Sequence, residues 1–347
     1  MSLSLFKRLI VISILIGVVV VAGYSWYLNK SFNSPYGEHA GKVQFIDVHS
    51  GEGLYKVCRR MKSLELVEHV RPFCRVVLWA GYDHLIKGRY AVEPVDTPLT
   101  LLKKMVRGDV TTFNISFIEG QNFKQMMARV QQNANVTHKL AGLSEDQIME
   151  KVAGKKIHPE GQFYPDTYTF SYGVSDLEIL VRAHKKLQAV LAKEWENKAK
   201  DLPYASPYEA LIMASIVEKE TAVAEERPQI AQVFVNRLNL GMRLQTDPTV
   251  IYGMGDDYKG NITRRDLRTK TAYNTYQIKG LPPTPIAMVG SEAIKAALNP
   301  KGDDSIFFVA RGDGSHHFSK TLRGHNKAVR KYQLRRSQNY RSTPDKP

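Results

Sequence analysis

A chain of 347 residues with 43% hydrophobic content is long enough for two or three domains and a large core, which excludes general disorder. Its formal net charge of +15 invites a polyanion, yet no helix-turn-helix, zinc-finger, RRM or KH signature is present, so nucleic acid is not an expected partner. The positive excess suits an anionic surface such as lipid headgroups or a carboxylate-bearing polymer, and solubility alone accounts for it equally well.

Lys7 and Arg8 precede an uncharged run from Leu9 to Asn29, 21 residues rich in Ile, Leu and Val. At about 1.5 Å per residue, a helix of that length crosses a hydrocarbon core of about 30 Å. A cleaved signal peptide is the rival, but the run exceeds the usual apolar stretch of about 7 to 15 residues and no small-x-small cleavage site follows it. Residues 1–30 are therefore expected to form a cytoplasmic start and an uncleaved transmembrane anchor. The basic residues on its short side keep the N-terminus in the cytoplasm and place the rest outside. In a bacterium this predicts a single-pass protein of the inner, cytoplasmic membrane with its bulk on the periplasmic side. Residues 31–42, rich in Asn, Ser, Pro, Gly and charge, read as a tether.

A small α+β module is expected over residues 43–109. Val43–Val48 alternates like a strand, Ser50–Lys62 and Val67–Ala80 have helical spacing, and Lys87–Val92 reads as a second strand. Thr97–Arg107 reads as a helix closed by Gly108. The only cysteines are Cys58 and Cys74. An exported compartment permits a bridge between them, and two separate buried thiols fit the sequence equally well.

Residues 110–340 read as a mixed, helix-rich domain with short strands, subdivided near residue 172. Val110–Glu119 has strand composition, followed by helices over Asn122–Gln132 and Ser144–Val152. In HPEGQFYPDTYTF (158–170), Pro159, Gly161 and Pro165 forbid a regular helix, so an ordered loop leads into a short strand. Its Tyr164, Tyr168 and Phe170 either line a carbohydrate cleft or pack on the core. Ser175–Lys200 is a long amphipathic helix, with Leu177, Leu180, Ala183, Leu187 and Leu191 placed to pack on the helix that follows.

That next helix starts at Ser206, Pro207 and Glu209, which read as N-cap, first-turn proline and capping-box glutamate. Leu211, Ala214, Ser215 and Glu218 stand at i, i+3, i+4 and i+7, so Glu218 continues an apolar stripe and its carboxylate faces inward. Lys219 and Glu220 project elsewhere. A poorly hydrated carboxyl is raised above its ordinary pKa of about 4.3 and can donate a proton near neutrality. The structural alternative is an ion pair with Lys219, Arg227 or Arg237.

Pro228 opens another helix, carrying Ile230, Val233, Phe234 and Leu238 and closed by Gly241, with Asn236 read as a satisfied core amide. In LQTDPTVIYG, Gln245 and Asp247 sit on a loop entering a short helix. In TAYNTYQIKGLPPTPI, Tyr273, Asn274, Thr275 and Tyr276 offer hydroxyls, an amide and ring faces within four residues, the mixture a sugar needs. These six residues are expected to face one cleft with Glu218. Ser291–Leu298 reads as a helix and Ser305–Ala310 as a strand. His316, His317 and His325 lack metal-ligand spacing, so no metal or cofactor is expected. The basic segment after Lys327 reads as a frayed helix and a disordered end, with 341–347 as the tail.

EGQFYPDTY (160–168), ASIVEKET (214–221), QTDPTVIYG (245–253), YNTY and GLPP (273–283), and HHF with HN (316–326) together resemble the YceG-like endolytic murein transglycosylases, the MltG family. The resemblance implies a LysM-like fold for the small module and a catalytic role for Glu218. It also implies cleavage of the β-1,4 bond between N-acetylmuramic acid and N-acetylglucosamine of nascent peptidoglycan, leaving 1,6-anhydromuramoyl ends. Glycan strands are then the substrate, and peptidoglycan polymerases the partners such an enzyme would accompany. Two positions depart from the family pattern, Thr284 for a glycine and Val289 for a proline, and both bear on loop shape. A lysozyme-like hydrolase with Asp247 as second carboxylate, and a non-catalytic glycan-binding scaffold, are the alternative readings.

Overall fold

The computed structural model describes residues 3–36, 44–221 and 223–334. The architecture is α+β: twelve α-helices and three two-stranded sheets among the described residues. The chain divides into two compact units, one reaching to Phe113 and including Thr169–Tyr172, the other taking Asn114–Tyr168 and everything from Gly173.

In the first unit, helix α1 runs Leu3–Asn33. Its stretch Ile10–Asn33 is apolar enough to cross a membrane, and none of its most apolar window is buried in protein. The helix outlasts the expected anchor because no helix breaker occurs before Pro35, and Phe32 stacks on Phe73 with ring centroids 4.6 Å apart. Tyr36 is buried, and its N–H donates to Asp96 O at 2.8 Å. The described start of the expected tether is therefore helical or packed, and residues 37–42 lie outside the described part.

Strand β1 (Gln44–Val48), helices α2 (Leu54–Ser63) and α3 (Val70–Trp79), and strand β2 (Gly88–Val92) follow, with β1 and β2 antiparallel. Helix α4 (Pro98–Arg107) is capped by Thr97, which accepts from Thr100 N–H, and closed by left-handed Gly108. Val57, Met61, Val77, Tyr90, Leu101 and Met105 form the buried centre. Cys58 and Cys74 are joined as a disulfide between α2 and α3, with Cα atoms 6.6 Å apart.

The second unit begins within β3 (Thr112–Ser116), which pairs with β4 (Thr167–Ser171), and α5 (Phe123–Gln131) and α6 (Glu145–Ala153) lie between them. Then come α7 (Asp176–Glu196), α8 (Pro207–Glu220), α9 (Arg227–Asn239), α10 (Asp247–Met254), α11 (Ser291–Leu298), the antiparallel pair β5 (Phe307–Ala310) and β6 (His316–Ser319), and α12 (Leu322–Tyr332). Helices α7, α9, α10 and α11 all pack on α8. The start of the segment expected as a helix after Lys327 is the second half of α12, which begins where Thr321 Oγ1 accepts from Gly324 N–H at 3.1 Å. The expected tail 341–347 lies outside the described residues.

Candidate active site

Helix α8 starts where Ser206 Oγ accepts the Glu209 N–H at 3.3 Å, and the Glu209 carboxylate reaches back to Ala205 N–H at 2.7 Å. Every residue from Ala210 to Val217 is buried. Ser215 Oγ donates to Ile212 O at 2.7 Å and accepts from Ile286 N–H at 3.0 Å, tying the 284–289 loop to the helix. The last turn then carries Glu218, Lys219 and Glu220.

The Glu218 side chain is 4% exposed. Its Oε2 accepts from Gly290 N–H at 3.0 Å and its Oε1 from Arg227 Nη2 at 3.2 Å. Burial pushes the carboxyl up and outweighs the opposing pull of Arg227 and the Gly290 N–H, and the charge of Glu119 adds to the rise. Segment 120–121 lies beside 288–290 through the bonds Gly120 N–H to Met288 O (2.9 Å) and Met288 N–H to Gln121 O (2.8 Å). The Glu119 carboxylate lies directly against the Cα of Gly290, so a side chain at this position would displace the Glu119 side chain. Lys219 points away and donates to Gly120 O at 3.2 Å.

Glu220 lies about 200° further round the helix. It lines a cavity of 720 Å³ with Gln245, Asp247, Tyr276, His316 and His325. Its Oε2 accepts from Thr246 Oγ1 at 2.8 Å. Desolvation, with the nearby Asp247 charge, pushes its carboxyl up to about 7 against the pull of Thr246 and Arg237. Tyr276 donates its hydroxyl to Asp247 Oδ1 at 2.7 Å. Gln245 sits at φ 53°, a left-handed conformation sparsely used outside glycine.

The six expected cleft residues thus separate. Gln245, Asp247 and Tyr276 gather at Glu220, not in the bonding shell of Glu218. Tyr273 packs against Tyr252 with ring centroids 4.8 Å apart and shares a 2.9 Å bond with Thr284 Oγ1. Asn274 is buried and donates to Asp266 O and Thr269 O. Thr275 Oγ1, fully buried, accepts from Thr246 N–H and meets Thr249 Oγ1 at 2.8 Å. These two side chains are buried and shape the loop from within. Asn236 is half-buried and its amide is satisfied, donating to Asp303 O and Ser305 O. The non-glycine at Thr284 is accommodated because its hydroxyl also donates to Pro285 O at 2.7 Å, and Val289 is fully buried in the core.

The YceG-like family profile matches residues 46–331. The chain belongs to the YceG-like family. A protein named endolytic murein transglycosylase from Bacillus subtilis (strain 168) is 30% identical over 90% of this chain and 91% of its own length. One of the same name from Streptococcus pneumoniae serotype 2 is 24% identical over 88% of this chain but only 61% of its own length. A crystal structure of a YceG-like protein from Listeria monocytogenes is 30% identical and covers 82% of this chain and 99% of its own, with a TM-score of 0.51.

Three further residues of this YceG-like protein, none of them among the six expected in the cleft, bear on the buried acids. Glu220 was expected to point elsewhere than Glu218, and it does, but on a helix buried all round that direction is also inward. Arg227 realises one of the ion pairs considered for Glu218. Glu160 is buried, accepts from Phe123 N–H at 3.0 Å at the start of α5, and is pushed by burial up to about 7. Replacing Arg227 by Met removes the cation that favours the charged form of Glu218, so the Glu218 pKa rises further. Carboxyl-carbon NMR of selectively labelled glutamate measures it, and an unchanged or lowered Glu218 titration would contradict the assigned pairing.

Proposed function

We propose that this chain is an endolytic lytic transglycosylase that cleaves the β-1,4 bond from N-acetylmuramic acid to N-acetylglucosamine in nascent peptidoglycan, with Glu218 as acid and then base. The observation that carries the reading is the match over nearly the whole chain to a relative named for that activity. The site supports it with the buried Glu218 carboxyl, which is raised by desolvation and bonded by Arg227 and the Gly290 N–H. Neutral Glu218 donates its proton to the leaving O4 of the glucosamine as the C1–O4 bond breaks. The resulting carboxylate, held by Arg227 and the Gly290 N–H, takes the proton of the muramoyl 6-hydroxyl as O6 bonds to C1. One group returns to its starting state and no water is consumed. Gln245, Asp247, Tyr273 and Tyr276 are the proposed glycan contacts.

One observation favours hydrolysis as the second reading: Asp247 supplies a carboxylate next to another buried acid, but its charge bears on Glu220 and not on Glu218. Product mass separates the two, since hydrolysis adds water. Glu218→Gln keeps size and shape and can neither give nor take the proton. It is expected to stay folded and lose about 10²- to 10⁴-fold or more in strand cleavage. Anhydro-ended products released at a wild-type rate by the folded variant would make Glu218 structural. Activity of the wild type should fall as pH rises through the elevated Glu218 pKa, because the acid form is lost.

Helix α1 is proposed as a single-pass anchor of the inner membrane with a cytoplasmic N-terminus, on the strength of Lys7, Arg8 and the exposed apolar face. Protease added to spheroplasts should digest the bulk of the chain, and protection of that bulk would reverse the topology. The strand–helix–helix–strand order of residues 44–92 supports a LysM-like glycan-binding module. A chain lacking those residues should bind glycan strands less tightly, and undiminished binding would remove that role.

A further inference from the structure

The HHF motif that opens β6 has no place in the proton transfers assigned to Glu218, yet its first histidine reaches the connection between α8 and α9. His316 donates its backbone N–H to Glu226 Oε1 at 2.8 Å and meets Glu226 Oε2 through Nδ1 at 2.7 Å. Both oxygens are thereby engaged, and a carboxylate only accepts, so a ring hydrogen sits on Nδ1. Glu226 immediately precedes α9, where an acidic side chain could serve the free N–H groups of its own helix, but it makes no cap bond. The next residue is Arg227, whose Nη2 bonds Glu218 while its buried Nε finds no partner among the described residues. The guanidinium is therefore aimed by its backbone, and hence by whatever fixes Glu226. His316 is itself fixed: it pairs with Ala310 across the β5–β6 hairpin, and its ring meets the Phe308 ring edge-on at 5.5 Å. Phe308 packs in turn on Phe234 of α9 at 5.7 Å, and Arg237, towards the far end of that helix, donates Nε to Ile306 O at 2.6 Å. The hairpin thus grips α9 near both ends.

We propose that His316 is a positioning residue, which through its paired bonds to Glu226 sets the start of α9 so that the Arg227 guanidinium meets Glu218. The inference rests on the glycan-cleavage reading only for its effect on catalysis; the coupling of His316 to the charge of Glu218 needs no turnover. A bond that merely ties the hairpin to α9 would leave Glu218 unaffected when broken. Direct electrostatics has the opposite sign. Removing the Glu226 carboxylate takes away a negative charge, which lowers any neighbouring acid, whereas releasing Arg227 takes away a cation, which raises Glu218. A released Arg227 has a second carboxylate to turn to: Glu292, on α11, is held below its ordinary value by Lys295 and, more weakly, by Arg227. Glu119, before α5, and Lys219, on α8, also bear on Glu218 and are the same in every variant below.

The test is carboxyl-carbon NMR of selectively labelled glutamate in the full chain in detergent, read beside strand cleavage. His316→Phe keeps a ring against Phe308 and deletes the Nδ1 donor, and Glu226→Ala removes both bonds. Each should raise the Glu218 pKa by about half a pH unit or more, the direction expected of Arg227→Met. His316→Asn, whose side-chain amide can donate to the same oxygen, should restore the wild-type value. In the Arg227→Met background neither change should move Glu218 further, because the coupling runs through that guanidinium. In cleavage, His316→Phe should lower kcat about tenfold with little change in KM, and the alkaline limb of the pH profile should move upward with Glu218. A Glu218 titration left in place or lowered by His316→Phe and Glu226→Ala, or shifts that simply add to that of Arg227→Met, would overturn the proposal. Should one of the two variants not fold, the other decides alone. Wild-type chain that shows this coupling but never cleaves murein would refute the transglycosylase reading and leave the positioning of Arg227 standing.

Discussion

The burial of α8 on every side is the constraint on which the second unit depends. An unbroken run of eight buried residues, Ala210–Val217, encloses the middle of this helix on every side, so Glu218 and Glu220 leave its last turn next to the core while Lys219 between them is exposed. Two carboxyls two residues apart therefore emerge in opposite directions and both are desolvated. On a surface helix one of them would be an ordinary solvated acid. The cost of burying them is offset locally: an arginine and a glycine N–H on one side, a threonine hydroxyl on the other.

The surrounding loops are fixed by the same economy of buried polar groups. Ser215 satisfies a backbone N–H of the 284–289 loop, and that loop ends at Gly290, the donor to Glu218. Thr246, Thr249 and Thr275 interlock their hydroxyls and backbone so that Gln245 and Asp247 are delivered to the cavity in one orientation. Asn274 performs this task for the 266–269 turn. Residues that look sugar-compatible in a linear motif can thus be the ones that shape the loop, with their neighbours presenting the chemistry.

This explains what the amino-acid order disclosed and what it hid. Helix caps, strand alternation and the apolar run of α1 are local signals, and Ser206, Gly108 and Thr97 do what their spacing predicts. The inward direction of Glu218 follows from helical period alone. The split between Thr275 and Tyr276 does not, because it depends on which side chains of a turn meet partners some thirty residues away, Thr246 for one and Asp247 for the other. The end of α1 is hidden for a related reason. Composition there resembles a linker, but Phe32 meets Phe73, a contact that composition does not encode.

Electrostatics then separates the two acids of α8. Glu218 has a cation and an N–H to stabilise its charged form, so it can release a proton and recover it at modest cost. Glu220 has a neutral hydroxyl on one oxygen and the like charge of Asp247 nearby, and burial outweighs the pull of Thr246 and Arg237, so its carboxyl is pushed up to about 7. A carboxyl that cycles between states suits proton transfer, while one held neutral suits donation of a standing hydrogen bond. The difference arises from where two arginines of one helix direct their donors. Arg227, at the start of α9, is free to reach a carboxylate, and Arg237, three turns later, is committed to the chain turn at 243–244 and to Ile306 before any ligand arrives.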